Sequence, residues 1–458
     1  MLNTITDDSR NAITVSTIAP KGMKAWLAAA SARDRAWLKT VGFTPDAGKF
    51  AFLPGAGGRP TRVVVGADLE RDPIWALAGM PGSLPEGRYR LDARLDPERA
   101  TQVALGWALG AYAFTRYKVP KRRFATLVWP READRHEVEQ LRQAVFLARD
   151  LINTPAEDLG PSELAAAAVD VAKRFDARCS VISGDDLLKK NYPTIHAVGR
   201  ASSRPPCLID LRWGEEDAPK VTLVGKGVCF DTGGLDLKPA ASMLQMKKDM
   251  GGAAVVLGLA SALMAAKAPI RLRVLIPAVE NSVSANAIRP LDIIRTRSAK
   301  TVEIGNTDAE GRLILCDALF EADSEKPDLL IDCATLTGAA RVALGPELQA
   351  LFCNDDALAE AILRASVDAA DPVWRLPLWK PYRKMIDSRI ADFNNVADRP
   401  YAGSIIGALY LAEFVRESTP WAHLDIMASN TRSRPGRPEG GEATGMRALY
   451  RMIRQRFA

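Results

Sequence analysis

The chain has 458 residues, of which 47% are hydrophobic and 25% are charged, and its formal net charge is +6. This composition is ordinary for a soluble globular protein, and the length predicts two or more domains. The mild basicity permits contact with nucleic acid but does not argue for it, because the chain has no dense run of lysine and arginine.

Membrane insertion and secretion are not expected. The first ten residues are polar and acidic and lack the layout of a signal peptide. The longest uncharged apolar run, residues 251–266, is too short and too rich in glycine and alanine for a membrane span. The six cysteines are scattered without a CxxC pair, which fits free thiols in a reducing compartment. A cytoplasmic protein is therefore expected.

Strand-like and helix-like patterns alternate in the N-terminal third. Residues 50–54, 61–65 and 124–129 are predicted strands, and residues 100–117 form a predicted helix. An amphipathic stretch over 134–151 leads to Pro155, and since proline biases its predecessor away from helix, a boundary is expected there. The sequence thus predicts a smaller N-terminal α/β domain (1–133), a linker helix (134–152) and a larger α/β domain (153–458).

A strand-then-helix rhythm dominates the rest of the chain. The predicted strands cover residues 177–183, 194–199, 207–212, 221–224, 271–277, 329–334, 349–352 and 423–426. The predicted helices cover residues 251–266, 312–323, 356–369 and 404–417. This alternation predicts a mixed, mostly parallel central sheet that is covered by helices on both faces.

Residues 306–313 form the most informative segment, because Asp308, Glu310 and Arg312 follow one another at intervals of two. In an extended segment, side chains at this spacing point to one side. Two acids beside a cation make a poor core face, since unpaired buried charge is expensive, but they suit a divalent metal with an anion-stabilising group nearby. The alternative interpretation is a solvated acidic turn that leads into a helix.

A second charged segment follows the predicted strand 221–224 and contains Lys226, Asp231, Lys238 and Asp249 among several glycines. Ligand sites of open α/β sheets lie beyond the carboxyl ends of strands, where this segment begins. The P-loop and GxGxxG patterns are absent and the aspartates would repel a phosphate, so nucleotide binding is not favoured. Beside two cations Lys226 could become a neutral nitrogen ligand, and Lys238 could stay charged and polarise a substrate carbonyl. The alternative for either is a surface lysine.

The two segments together supply four carboxylates: Asp231, Asp249, Asp308 and Glu310. Their charge matches that of two divalent ions, which indicates a binuclear centre whose metals share a water and stabilise a tetrahedral intermediate. Carboxylates suit Mg²⁺, Mn²⁺ or Zn²⁺. Only three histidines occur, without HExxH or GxSxG, which disfavours a histidine-rich zinc protease and a serine hydrolase. His423, on an apolar strand, is interpreted as a core histidine.

These segments resemble the leucyl aminopeptidase (cytosol aminopeptidase) family of dinuclear metallopeptidases, with octapeptide 306–313 as the family signature. The likeness extends over nearly the whole C-terminal two thirds, whereas the N-terminal third is much less diagnostic. The motifs that carry it are VGKG at 224–227, FDTGG at 230–234, LKP at 237–239, KDM at 248–250, NTDAEGRL at 306–313, ATLTG at 334–338, ADFNN at 391–395 and HLDI at 423–426.

The resemblance implies a set of metal ligands. It places one exchangeable metal on Asp231, Asp308 and Glu310. It places a tighter metal on Lys226, Asp231, Asp249 and Glu310, so that Asp231 and Glu310 bridge the two ions. The implied ions are Mn²⁺ or Zn²⁺, with Mg²⁺ or Co²⁺ as further candidates.

The resemblance also implies catalytic groups that are not metal ligands, Lys238 and Arg312, with Arg312 holding a bicarbonate that acts as a proton shuttle. No side chain is then needed as general base, which agrees with the scarcity of histidine.

The pocket for the first side chain of the substrate is implied at Met246, Thr335 and Gly338. One departure from the family pattern concerns the residues after HLDI, which are usually a small Ala-Gly pair but are Met427 and Ala428 in this chain. Met427 is predicted to shorten or reshape the pocket, and the alternative is that it packs in the core.

The implied activity is that of an aminopeptidase that removes N-terminal residues from peptides through a metal-bridging water and assembles as a homohexamer. Binding of the free α-amino group to one metal explains a restriction to N-termini. A DNA-binding regulator of the same family is one alternative, and the mild basicity is its only support. A catalytically inactive scaffold is weakened by the presence of all seven functional positions. A phosphoester hydrolase on a similar metal pair is a third alternative.

Overall fold

The computed structural model describes residues 4–55, 57, 59–119, 121 and 123–458. Its internal contacts divide the chain into two compact units. The first comprises Met1–Phe146 and Arg432–Glu439, and the second comprises Leu147–Thr431 and Gly440–Ala458. Both contain a sheet and helices, which confirms the predicted α/β class.

The first unit contains one sheet, whose described strands are β1 (Ile5–Thr6), β2 (Ile13–Ile18), β3 (Phe50–Pro54), β4 (Pro60–Gly66), β5 (Arg88–Leu91) and β6 (Thr126–Val128). Their spatial order is β1-β6-β5-β2-β4-β3, and neighbours are parallel except for β3 and β4. The helices are α1 (Met23–Ala29), α2 (Ala32–Thr40), α3 (Pro73–Ala76), α4 (Met80–Ser83) and α5 (Pro97–Gly110). Val63, Val64 and Val65 are all fully buried in β4, as in a strand that is covered on both faces.

The amphipathic stretch around residue 140 forms helix α6 (Arg135–Asn153), which ends before Pro155 as predicted. The division between the two units falls inside this helix, after Phe146. The domain bounds predicted from the sequence therefore remain a prediction (1–133, 134–152 and 153–458).

The second unit is built on a nine-stranded sheet of described residues. Its strands are β7 (Arg178–Ser183), β8 (Cys207–Trp213), β9 (Lys220–Gly225), β10 (Gly227–Asp231), β11 (Arg271–Asn281), β14 (Leu329–Ala334), β15 (Gln349–Cys353), β16 (Val373–Arg375) and β18 (Trp421–Asp425). The order is β16-β15-β18-β14-β9-β11-β8-β7, and β10 also pairs with β11. Five of these strands form a parallel group: β18, β14, β9, β11 and β10. At its edges β15 pairs antiparallel with β18, and β8 pairs antiparallel with β11.

Smaller sheets and the helices complete this unit. The short strands are β12 (Ile293–Arg295), β13 (Thr301–Glu303), β17 (Phe393–Asn394), β19 (Ser429–Asn430) and β20 (Gly440–Gly441). The helices are α7 (Pro161–Arg174), α8 (Asp186–Lys189), α9 (Pro193–Gly199), α10 (Ala240–Met243), α11 (Gly251–Ala265), α12 (Glu310–Ser324), α13 (Gly338–Leu344), α14 (Asp356–Asp368), α15 (Gly403–Ala412) and α16 (Met446–Arg456). The 3-10 turns are Pro20–Gly22, Ala156–Asp158, Met246–Met250 and Lys380–Ile386.

Three sequence expectations need correction. The predicted strand 194–199 is wrong, because Pro193 opens helix α9 and the carboxylate of Asp317 accepts the Thr194 amide at 2.9 Å near its first turn. The predicted helices 100–117 and 404–417 end earlier, at Gly110 and Ala412.

The apolar segment Met246–Ala265 is long enough to cross a membrane by length and composition. However, 94% of its most apolar window is buried, as in the core helix of a globular protein. Helix α11, which forms most of it, packs against β9, β14 and β11. The segment is thus part of the core.

Candidate metal centre

Lys226 lies in a break between two collinear strands. Strand β9 ends at Gly225, and β10 starts at Gly227 along the same partner, β11. In the break, the Lys226 amide donates to the Cys333 carbonyl at 3.0 Å, and the Lys226 carbonyl accepts from the Ala253 amide at 2.8 Å. The backbone of Lys226 is therefore fixed between β14 and helix α11.

Asp231 and Asp249 approach the site from two further elements. Asp231 is the last residue of β10, and Asp249 lies in the 3-10 turn that precedes α11. The Thr335 hydroxyl donates to a carboxylate oxygen of Asp249 at 2.7 Å and lies 2.9 Å from its backbone carbonyl. Asp231 thus lies at a strand end of the parallel sheet, as expected for this class of fold, whereas Asp249 comes from the turn before α11.

The octapeptide is not extended, contrary to the sequence expectation. Asp308 lies in a turn, and Glu310 is the first residue of helix α12. The two acids nevertheless converge, since ligand oxygens of Asp231, Asp308 and Glu310 all lie within 4.8 Å of one another. The alternative of an acidic turn before a helix was right about the helix but wrong about solvation, because Glu310 is only 1% exposed.

Lys226 is the buried cation of this cluster. Its ammonium lies 2.7 Å from Asp249 and 2.9 Å from Glu310, and it donates to the Thr335 carbonyl at 3.0 Å. Burial alone would lower the pKa of Lys226, but Asp249 and Glu310 outweigh it and raise that pKa above its ordinary value. A side chain at Gly311 would meet the Lys226 stem at 2.5 Å, so glycine is required there for the lysine to reach the acids.

Lys238 forms the second cationic contact. Its ammonium lies 2.8 Å from Asp231 and also contacts Asp308. Burial opposes the charge, but Asp231 and Asp308 together raise the pKa of Lys238 above its ordinary value, so the side chain stays charged. Gly233, at φ +89°, turns the loop so closely that a Cβ would meet the Asp236 carbonyl at 2.5 Å.

The carboxylates of the site are incompletely paired, and this is the feature that fits a bound metal. Burial, with the charge of Asp231, raises the pKa of Glu310 to about 8 and that of Asp308 to about 6. Glu310 Oε2 is buried and accepts no hydrogen bond from the described residues. Oxygen ligands that are close together, dehydrated and incompletely paired suit a divalent cation, so the residues present fit the metal that the family resemblance implies.

Arg312 does not join the three acids, although it lies in the same first turn of α12. Its guanidinium is buried and donates from Nη1 to the Asn395 carbonyl at 2.7 Å, and it lies 5.8 Å from the centre of the Tyr410 ring. The Arg312 Nε is buried, and within the described parts of the chain it has no hydrogen-bond partner. The side chain therefore keeps a donor for a further acceptor, as an anion-holding group requires.

The four predicted pocket residues are positioned differently from one another. Met246 opens the 3-10 turn that carries Asp249, and Thr335 contacts that same aspartate. Gly338 is exposed at the start of α13, and a Cβ there would meet nothing within 4 Å. Met427 is half-buried after β18, and its amide donates to the Gln349 side chain at 2.9 Å.

Sequence reasoning missed several residues that support the centre. The Asn281 amide donates to Asp231 at 2.8 Å and to the Thr307 carbonyl at 3.2 Å, and thereby ties β10 to the octapeptide. Asn281 ends β11 beside the end of β10, so its strand-end position was the available signal. Lys248 was named only within a motif, but it is 4% exposed, and burial lowers its pKa to about 8.

His423 is a core residue, as interpreted. It is fully buried in β18, and its Nδ1 lies 2.6 Å from Asp332 in β14. Trp421 donates to the other oxygen of the same carboxylate at 2.8 Å. His423 Nε2 has no partner among the described residues, so the ring is satisfied on one side only.

Carboxylates that lie close together beside a buried lysine fit a metal-dependent hydrolytic centre. Comparison with known proteins identifies the family. The model of the cytosol aminopeptidase family catalytic domain matches residues 146–450. The model of the M17 aminopeptidase N-terminal domain matches residues 13–130.

Curated relatives agree with these matches. A probable cytosol aminopeptidase of Xanthobacter autotrophicus is 42% identical over 402 residues, which is 83% of this chain and 80% of the relative. A probable cytosol aminopeptidase of Geotalea uraniireducens is 40% identical over 443 residues, 90% of this chain and 89% of the relative.

Solved structures extend the likeness to the fold. A crystal structure of cytosol aminopeptidase from Coxiella burnetii is 48% identical, covers 99% of both chains and superposes with a TM-score of 0.95. The bottromycin maturation enzyme BotP in complex with Mn is 34% identical, covers 98% of this chain and 100% of BotP, and has a TM-score of 0.89. The chain belongs to the cytosol aminopeptidase family and is a metallo-aminopeptidase of the leucyl type.

Proposed function

We propose that the chain is a dinuclear metal-dependent aminopeptidase that removes the N-terminal residue from peptides. The ligands would be Lys226, Asp231, Asp249, Asp308 and Glu310. The observation that supports this most strongly is the group of three carboxylates, of which Asp231 and Glu310 are buried, whose ligand oxygens lie within 4.8 Å of one another. When bound, the ions would activate a water and hold the α-amino group of the peptide.

Lys226 has to change its protonation state for this assignment to hold. Its raised pKa keeps it charged beside Asp249 and Glu310 in the metal-free chain. A lysine nitrogen ligates only when it is neutral, so loading must expel its proton. Two divalent ions in place of this ammonium would supply the positive charge that neutralises the four carboxylates.

Lys238 and Arg312 would act on the substrate rather than on the metals. The charged Lys238 ammonium, only 13% exposed, would stabilise the negative charge that develops on the scissile carbonyl oxygen. The free Nε of Arg312 supports a role in holding the bicarbonate that the resemblance implies. The pocket for the first side chain would include Met246, Thr335, Gly338 and Met427.

The finer properties of the enzyme are proposed from its relatives. The ions would be Mn²⁺ or Zn²⁺, with Mg²⁺ or Co²⁺ as substitutes, and BotP in complex with Mn is a neighbour of similar fold. The relatives named cytosol aminopeptidases support a cytoplasmic protein. We extend the proposal to a homohexamer that acts on peptides.

The test is a panel of aminoacyl p-nitroanilides assayed after chelation and reconstitution with Mn²⁺, Zn²⁺, Co²⁺ or Mg²⁺. Release of p-nitroaniline from free aminoacyl substrates, but not from N-acetylated ones, is expected. An inactive scaffold would show no turnover with any metal. A phosphoester hydrolase would instead cleave p-nitrophenyl phosphate and leave the anilides intact.

A further inference from the structure

The hairpin formed by β19 and β20 connects the two units of the chain. Its strands pair antiparallel in the second unit, with Ser429 opposite Gly441. The loop Arg432–Glu439, which joins these strands, belongs to the first unit. The chain therefore leaves the second unit after one strand of the hairpin and returns to it at the other.

The loop Arg432–Glu439 is fixed within the first unit by contacts with Trp75. The Arg437 guanidinium lies over the Trp75 ring, 4.0 Å from its centre. At Gly436, where φ is +70°, a Cβ would meet the same ring at 2.6 Å and the Ala78 side chain at 3.0 Å. Only glycine allows so close an approach. A cation–π contact and tight packing therefore hold the loop in place.

Strand β20 lies directly against the last turn of helix α6 in the second unit. The Gly441 amide donates to the Asn153 side chain at 2.8 Å. A Cβ at Gly441 would meet the Arg149 carbonyl at 2.9 Å and the Ile152 side chain at 2.8 Å. The next residue, Glu442, forms a buried ion pair with Arg149 at 3.0 Å. Strand β20 and the end of α6 are therefore joined by close packing, a hydrogen bond and an ion pair.

Asn153 also holds the 3-10 turn Met246–Met250. It is the last residue of α6, and the last carbonyls of a helix lack partners within the helix. The Lys247 ammonium donates to the Asn153 carbonyl at 2.6 Å. The helix dipole adds to this hydrogen bond, because it favours a cation at the carboxyl end. The turn is thereby tied to the same residue that binds β20.

The turn Met246–Met250 carries Asp249, a proposed metal ligand, two residues after Lys247. In the metal-free chain the Asp249 carboxylate lies 2.7 Å from Lys226 and accepts from the Thr335 hydroxyl at 2.7 Å. Under the proposed function Lys226 becomes a neutral ligand, so its ion pair with Asp249 no longer holds the turn. The hydrogen bonds of Thr335 and Lys247 then fix the position of this carboxylate.

We propose that Lys247 and Asn153 are positioning residues of the metal centre, and that the loop Arg432–Glu439 supports them from the first unit through β20. They place Asp249 through the backbone of its turn, without contact to a metal or a substrate. This inference rests on the proposed function, because it requires Asp249 to be a metal ligand. It gives the first unit a part in the centre, although all the proposed ligands lie in the second unit.

The first test replaces the lysine and measures metal affinity. Lys247→Met removes the hydrogen bond to the Asn153 carbonyl and keeps a long side chain. The dissociation constant for Mn²⁺, measured by competition with a chelator, should rise about tenfold, as for other groups that orient metal ligands. Lys247→Arg retains a donor and should restore most of the affinity. In the metal-free protein, hydrogen exchange over Met246–Met250 should be faster in Lys247→Met than in the unaltered chain.

The second test loosens the loop in the first unit. Arg437→Gln removes the contact with Trp75 and should raise the same dissociation constant by about twofold, the effect of one exposed cation–π contact. Combined with Lys247→Met it should have no further effect, because the connection to the turn is already broken. Leu38→Ala is the matched control, since Leu38 is buried in a separate core cluster of the first unit. It should lower Tm and leave the Mn²⁺ affinity unchanged.

The outcomes separate this inference from the proposed function. An active enzyme in which Lys247→Met changes neither the Mn²⁺ affinity nor hydrogen exchange would overturn the positioning role and leave the aminopeptidase standing. Equal losses of affinity in Leu38→Ala and Arg437→Gln, or additive effects of Arg437→Gln and Lys247→Met, would overturn the support from the first unit. If the unaltered protein binds no metal and cleaves no aminoacyl anilide, both proposals fail.

Discussion

Two charged clusters of the second unit are built from the same kinds of side chain but differ in how their charges balance. In the candidate metal centre four carboxylates face two lysines, and no described residue donates a hydrogen bond to Glu310 Oε2. The arginine network consists of Arg212, Arg273 and Arg297 with Asp210, Glu321 and Glu325. There the numbers of cations and acids are equal.

The pKa shifts of the two clusters follow this difference. In the arginine network, burial works against the charge of Glu325, but Arg212 and Arg273 prevail and lower its pKa. In the metal centre, burial and the neighbouring acids raise the pKa of Glu310. A balanced cluster therefore stabilises the fold, whereas an unbalanced one is costly to the fold and is completed by a ligand.

Replacement of one acid in each cluster should have opposite effects, and the largest is expected at Glu310. Glu310→Gln removes the proposed bridging ligand, so aminoacyl-anilide turnover should fall by at least about 10³-fold. Near neutral pH the chelated variant should unfold at about the same temperature as the unaltered protein, because burial already raises the pKa of Glu310 to about 8 and keeps its carboxyl protonated. Anilide kinetics, bound-metal analysis and thermal unfolding after chelation are the measurements.

Glu321→Gln is the matched control in the arginine network. Its carboxylate lies 2.8 Å from Arg273 and contacts Arg297, so this variant should lose stability and retain turnover. Equal activity losses in the two variants would contradict the assignment of the metal centre.

Lys238→Ala should separate catalysis from metal binding. Turnover should fall by about 10²-fold, because a preorganised charge beside the scissile carbonyl is lost. The metal content should stay unchanged, since Lys238 is not a proposed ligand. Activity and metal content that fell together would instead show that Lys238 acts by retaining the metals.

Arg273→Met should destabilise the fold without affecting catalysis. Arg273 is 5% exposed and contacts Asp210, Glu321 and Glu325 at 2.7, 2.8 and 3.1 Å. Its removal leaves three acids without their shared cation, which should cost about 3 kcal/mol in the free energy of unfolding. Urea unfolding measures the cost, and kcat on the anilides should be retained.

Arg271→Met is its control, because Arg271 lies on the same strand and is more exposed. Among the described residues its side chain donates one hydrogen bond, to the Glu216 carbonyl at 3.3 Å. A loss of stability equal to that of Arg273→Met would indicate a general effect of charge on this edge of the sheet.

Most of the frame of the site was predictable from sequence, because local patterns determine it. Apolar runs such as 221–224 and 329–334 form strands, and residues that follow parallel strands collect at one edge of the sheet. The family match then confirms the two-domain α/β fold. The roles of individual side chains stay proposals, since neither the fold nor the family match tests them.

The misses share a physical cause, which is that non-local contacts outweigh local pattern. Residues 194–199 have an apolar, strand-like composition, but Pro193 and the Asp317 carboxylate favour a helix. Alternation at 308, 310 and 312 predicts an extended segment, but α12 starts at Glu310. Local sequence does not reveal that Lys248 lacks a hydrogen-bond partner among the described residues, because Asp249 contacts Lys226 and Asp425 accepts from Thr337.

The pH dependence of stability should distinguish the clusters by its sign. In the metal-free protein the pKa of Glu310 is raised to about 8, above its value in the unfolded chain. Its contribution to stability is therefore complete below the unfolded pKa and is lost as the pH rises through about 8. Glu325, whose pKa is lowered, contributes above its unfolded pKa and loses this contribution as the pH falls.

The free energy of unfolding of the chelated protein should therefore decline between pH 4.5 and about 8, by about 1 kcal/mol per pH unit at the steepest point. Glu310→Gln should flatten this decline. Saturating Mn²⁺ should reverse it, because metal binding requires deprotonated ligands and strengthens as the pH rises. A decline that persists in Glu310→Gln would assign the titration to other groups and would remove the imbalance of charge as the distinguishing property of the metal centre.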